Sequence, residues 1–163
     1  MSILNQAKEH WQQGRALQAG QLIFENLPNT DRPQWAASIL RFALERSGVQ
    51  NAAFEQLLYT TDHQAMWGNG HRVFSELRKI TLEMDNLRRN QSLRSEQESL
   101  CLLLPLAELV AKVTYNATCP PDEFDEDSGW QIVAYLKKNL ERLNQEDAQG
   151  SLWSLVSKKL TTL

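Results

Sequence analysis

The chain has little of the material from which turns and strands are built. Its 163 residues include only 7 glycines and 5 prolines, and no segment alternates apolar and polar residues between turn signals. Residues that favour helices, namely Ala, Leu, Gln and Glu, are abundant. This composition argues against a β-rich fold and predicts an all-α protein.

Signatures of several protein classes are also missing. The two cysteines, Cys101 and Cys119, show no CxxC or Cys/His spacing. No apolar run reaches the length of a membrane span and no signal-like segment opens the chain, so we expect a soluble, cytoplasmic protein without membrane association. The net charge is -3, and no segment has the basic excess that would neutralise several phosphates. We therefore expect no binding to nucleic acid.

Familiar catalytic motifs are absent as well. The chain contains no glycine-rich phosphate loop, no GxSxG elbow and no HExxH. The long predicted helices hold no Glu-x-x-His pair of the kind that builds a di-metal site. This favours a role other than catalysis, leaves enzyme activity open, and predicts no cofactor.

Apolar periodicity predicts a single all-helical domain over residues 1–163, with a sub-boundary at 62–70. An N-terminal pair of helical hairpins is expected over 1–62, with bends at Gly14 and Gly48. A C-terminal helical bundle is expected over 70–163. Its predicted helices cover residues 71–90, 95–117, 128–144 and, as a short last helix, 152–160.

Two matched positions recur 34 residues apart in the first part of the chain. Gly14 is followed five residues later by Ala19, and Gly48 five residues later by Ala53. With aromatic residues in the first helix of each pair and Pro28 after the second helix, residues 1–62 resemble tetratricopeptide-type repeats. The resemblance implies a right-handed stack of hairpins that binds protein partners. A generic helical bundle is the alternative.

Two histidines flank the glycine-rich connector between the predicted halves. His63, Trp67 and His71 lie around this irregular segment, where a pocket for a small ligand could form. Their spacing matches no known metal site, so no metal is predicted there. The plainer interpretation places both histidines at helix ends.

Residues 122–127 carry five carboxylates just before a predicted helix. The run lacks the glycine and glutamate of a calcium loop. Phe124, Asp125 and Trp130 are candidates for docking a basic partner. Capping of the following helix is the simpler use of these charges.

These observations lead to one main functional hypothesis. The chain is predicted to be a cytoplasmic protein–protein interaction or scaffold module, binding another protein or forming a homodimer, and a groove or apolar patch is expected on the hairpin surface around 1–62. The alternative is a helical protein that binds a small ligand or metal near His63–His71 or the acidic loop 122–127.

Overall fold

A computed structural model describes residues 2–67, 71–91, 97–117, 129–139 and 149–161. The side chains of residues 71–74, 76–77, 149–150 and 159–161 lie outside that description. The described part is helical and contains no strand, which confirms the all-α prediction. Its eight α-helices, with one 3-10 turn at Gln64–Trp67, are α1 Ile3–Gln12, α2 Ala16–Glu25, α3 Arg32–Ser47, α4 Ala52–Asp62, α5 His71–Arg89, α6 Glu98–Asn116, α7 Gln131–Asn139 and α8 Gln149–Thr161.

Side-chain caps begin two of these helices. The Ser2 hydroxyl accepts a hydrogen bond from the Asn5 amide at 3.1 Å, and the Asn51 side chain accepts from Ala53 and Phe54 at 2.9 and 3.3 Å. Each cap satisfies amides that have no partner inside the first helical turn. The starts of α1 and α4 are therefore fixed by local sequence.

Glycines in the left-handed conformation end α1 and α3. Gly14 has φ 79° and Gly48 has φ 70°, a region that L side chains avoid. At the end of α1, Gly14 donates to the Trp11 carbonyl and Arg15 to the His10 carbonyl, the paired bonds of a Schellman motif. Both glycines thus stand where the chain must turn between two helices.

Helix α6 lies at the centre of the fold. It packs against α3, α4, α5 and α7, and Leu103, Ala107 and Val110 on it are fully buried. The main neighbours of α3 are α6 and α8. The two N-terminal hairpins are therefore joined largely through C-terminal helices.

Buried polar contacts tie distant parts of the chain together. The Trp35 indole nitrogen donates to the Val156 carbonyl at 2.9 Å, which links α3 to α8. The hydroxyls of Thr61 and Thr114 meet at 3.1 Å between α4 and α6. Thr114 donates to the Val110 carbonyl at 2.8 Å, so Thr61 is the donor in the hydroxyl pair. No polar group in these contacts is buried without a partner.

None of the described helices combines the length and apolar character needed to cross a lipid bilayer. The boundary proposed at 62–70 and the single-domain assignment stay predictions.

Candidate partner-binding groove

An open groove runs along the outer side of α6. Its central hollow has a volume of about 470 Å³. A second hollow of about 420 Å³ adjoins it at the α1–α2 turn, and a third of about 120 Å³ adjoins it at α5. We call these three hollows the groove; its central part is lined by Leu17, Met84, Arg88, Pro105, Glu108, Leu109, Gln131, Ala134, Tyr135 and Lys138.

The floor of the groove is the side of α6 that the core leaves half-buried. Pro105, Glu108 and Leu109 are all partly exposed, and they follow the i, i+3, i+4 spacing of one helix face. Proline has no amide hydrogen and cannot continue the helical bonding at its position. Pro105 also lines the third hollow.

One wall of the groove is the outer face of α7, and a glycine sets its position. A Cβ atom added at Gly20 of α2 would lie 2.8 Å from the Trp130 carbonyl oxygen and 3.1 Å from the Val133 Cβ. The backbones of α2 and α7 can approach this closely only because Gly20 has no side chain. This contact places Ala134 of α7 beside the exposed Leu17 of α2, and both line the groove.

The opposite wall belongs to α5. Met84 is half-buried and packs against the core from this helix, while Arg88 is exposed at the rim. Leu87 between them is 3% exposed and borders the third hollow. The wall therefore offers two apolar groups and one cationic group to the groove.

Cations outnumber carboxylates among the described residues that line the groove. Arg15, Arg88, Lys137 and Lys138 are the cations, and Glu108 is the carboxylate. The Glu108 carboxylate is held by the Lys112 ammonium at 3.2 Å. Outside the lining, the Asp85 carboxylate lies 3.6 Å from the Arg88 guanidinium.

Two of these cations have further contacts. The Lys137 ammonium lies 4.5 Å from the centre of the Trp11 ring, a cation–π distance. The Arg15 guanidinium donates to the His10 ring at 3.1 Å. These contacts hold both side chains near the α1–α2 end of the groove.

The predicted ligand residues near the connector have separate surroundings. The His63 ring stacks 4.1 Å from the Tyr59 ring, and its Nδ1 donates to the Tyr59 carbonyl at 2.7 Å. Trp67 is buried, and its indole nitrogen donates to the Thr60 carbonyl at 2.9 Å. The backbone of His71 begins α5, and its side chain lies outside the described residues.

Of the predicted docking residues in the acidic segment, only Trp130 can be placed. It is half-buried at the start of α7 and packs against the core. Phe124 and Asp125 lie outside the described residues, as does the acidic loop 122–127. Docking through these three residues stays a prediction.

Among the residues that the structure describes, no three His, Cys, Asp or Glu side chains come together as they would around a metal ion. Known proteins offer no guide either, because no protein-family model, curated protein or solved structure matches the chain. The geometry of this chain alone therefore supports the functional proposal.

Sequence periodicity did not single out the groove residues. Leu109 and Pro105 sit in an apolar run that reads as buried all round. The one available signal was Glu108 with Lys112, two charges four residues apart inside that run. Such a pair marks the side of a helix that the core does not fully cover.

Proposed function

We propose that this protein is a cytoplasmic protein–protein interaction module that seats its partner in the groove. The observation that supports the proposal is an open, largely apolar groove bordered by four helices. Apolar surface that stays accessible in a folded chain is a common mark of a partner site. The first hairpin of the predicted pair 1–62, α1–α2, contributes one end of it through Gly14 and Leu17.

The tetratricopeptide-like interpretation of residues 1–62 belongs to the same proposal in a modified form. The left-handed glycines support two hairpins with similar turns. Because α3 packs mainly on α6 and α8, we infer that the hairpins frame a bundle and do not extend into a repeating stack. The partner surface then lies at the edge of the bundle.

The test compares the proteins that the wild-type chain captures from a cell extract with those captured by a variant in which one leucine of the groove is changed. Leu17→Glu places a charge at a groove position that is 39% exposed. Leu82→Glu is the matched control, since Leu82 is 59% exposed on α5 and is not among the residues that line the groove. Tagged wild-type protein and both variants would be incubated with an extract of the cells that make the protein, and the bound proteins quantified by mass spectrometry.

We expect at least one partner to be captured by the wild type and by Leu82→Glu, and to be depleted about tenfold with Leu17→Glu. The physical reason is that a carboxylate at this position would face the apolar side chains of the partner, which costs free energy. If no captured protein depends on Leu17, the proposed use of the groove is wrong.

A further inference from the structure

The residues that line the groove on α5, α6 and α7 share one geometric feature, which is the spacing of residues on one face of a helix. On α7, Gln131, Ala134, Tyr135 and Lys138 line the central hollow, and their spacing is i, i+3, i+4, i+7. This is the face that one helix presents to a neighbouring helix over two turns. The face therefore has the pattern of a helix–helix contact.

The same pattern is present on the other helices that border the groove. On α6, Pro105, Glu108 and Leu109 are spaced i, i+3, i+4, and on α5, Met84 and Arg88 are spaced i, i+4. The groove-facing residues of α7 extend about 10 Å along its axis, at about 1.5 Å per residue. A helix of two to three turns is thus the occupant whose shape matches all three faces.

The charges of the groove define the chemistry of that helix. The chain as a whole carries a net charge of -3, yet the described lining of the groove holds Arg15, Arg88, Lys137 and Lys138 against the single carboxylate Glu108. Glu108 is paired with Lys112, and Arg88 lies 3.6 Å from Asp85 just outside the lining, so these two pairs cancel and Arg15, Lys137 and Lys138 carry the excess. The groove is therefore a locally cationic, apolar surface on an anionic protein.

This combination favours an acidic protein segment over a nucleic acid. Phosphate backbones are bound by rows of cations that face solvent, whereas the cations here stand around apolar side chains, namely Leu109 and Pro105 of the floor and Ala134 of the α7 wall. An amphipathic helix places apolar side chains on such a floor and carboxylates toward the cationic rim. Complementary charges of this kind set binding specificity and association rate.

We propose that the groove binds an acidic amphipathic helix of a partner protein, with apolar residues spaced i, i+3, i+4, i+7 and glutamate or aspartate on its flanks. This inference rests on the proposed function and adds the chemistry of the partner.

A peptide selection tests the charge preference without knowledge of the partner. The probe is a display library of 18-residue helical peptides, with Leu fixed at i, i+3, i+4, i+7 positions and the flanking positions randomised among Glu, Lys and Gln. The bait is the chain of residues 1–163. We expect the enriched peptides to carry an excess of Glu over Lys, and their binding to weaken as NaCl is raised.

Matched charge variants then locate the binding site. In Arg88→Glu/Lys138→Glu, one arginine and one lysine of the groove are reversed. In the control Lys8→Glu/Arg78→Glu, one arginine and one lysine of the same exposed class outside the groove lining are reversed. Circular dichroism establishes that each variant is folded before binding is measured. We expect an enriched peptide to bind at least tenfold more weakly to the groove variant, and to change less than twofold with the control.

Several results would overturn the proposal. The selection could enrich Lys-rich or Gln-rich peptides, or no peptides at all. An enriched peptide could also bind equally well to both charge variants. A dimer that the groove variant dissociates, detected by light scattering, would assign the groove to a second copy of this chain. If cellular partners depend on Leu17 while the selection shows no preference for Glu, the acidic chemistry is wrong and the interaction module stands.

Discussion

The two sides of α6 differ in how completely the rest of the chain covers them. On one side Leu103, Ala107 and Val110 are fully buried against the other helices. On the other side Pro105 and Leu109 are half-buried and form the floor of the groove. Both sides carry apolar residues, but the outer side also holds the charged pair Glu108–Lys112. The described helices cover this outer side less completely than the inner one.

A single helix can thus be locked by packing on one side and remain accessible on the other. The proposed site on α6 would be rigid, because the opposite side of that helix is packed in the core. The groove can therefore be examined by variants that change one side of α6 and leave the other intact.

The largest expected effect is the difference between two leucines on α6. Leu103→Ala removes a fully buried side chain and should lower the free energy of unfolding by about 3 kcal/mol, as cavity-forming changes do. Leu109→Ala removes a half-buried one and should cost about 1 kcal/mol. Urea denaturation of both variants gives the two values. Equal losses would mean that the outer side of α6 is part of the core.

A smaller loss is expected at the contact that positions the groove wall. Gly20→Ala would put a methyl group 2.8 Å from the Trp130 carbonyl oxygen, which forces α2 and α7 apart. Overpacking should cost about 2 kcal/mol, offset by up to about 1 kcal/mol because alanine favours helices. Thermal unfolding would show a lower midpoint. An unchanged or raised midpoint would contradict the close approach of the two helices.

A loss of about 1 kcal/mol is expected at the turn between α3 and α4. Gly48→Ala places a β-carbon on a residue at φ 70° with no neighbouring atom within 4 Å, so conformational strain is the only cost. Gly48→Asn should cost less, because asparagine tolerates the left-handed region. Chemical denaturation should give the highest free energy of unfolding for the wild type, a lower one for Gly48→Asn and the lowest for Gly48→Ala. The reverse order of the two variants would refute the explanation by strain.

The smallest stability effect is expected at the exposed leucines. Leu17→Glu and Leu82→Glu should each change the free energy of unfolding by less than about 0.5 kcal/mol, as most surface substitutions do. Differential scanning calorimetry would measure both. A large loss with Leu17→Glu would show that this residue supports the fold and is not available to a partner.

Much of the helical framework follows from local sequence. Pro33 predicts the first turn of α3, and Asn51 provides the cap of α4. Both act on backbone groups only a few residues away. Gly14 and Gly48 mark turns because no other residue adopts their φ at so little cost. These features depend only on a few residues adjacent in sequence, so they can be predicted from one sequence alone.

Features that depend on which helices meet could not be predicted in this way. Leucines occur all round the circumference of α6, so apolar periodicity did not separate Leu109 from Leu103, and the pair Glu108–Lys112 was the one signal of the outer side. The ligand role predicted for His63, Trp67 and His71 stays a prediction; the described contacts of His63 with Tyr59 and of Trp67 with Thr60 are local in sequence. The different burial of Leu103 and Leu109, in contrast, depends on which helices pack around α6.

Methyl NMR of the full chain titrated with the tightest-binding peptide of the selection tests the central claim most directly. Binding in the groove predicts that the methyl signals of Leu17, Met84, Leu109 and Ala134 shift or broaden, while those of Leu103 on the core side of α6 and of Leu82 outside the groove lining stay in place. Unchanged groove signals, or shifts centred on Leu82, would contradict the assignment of the open side of α6 as the partner-binding surface.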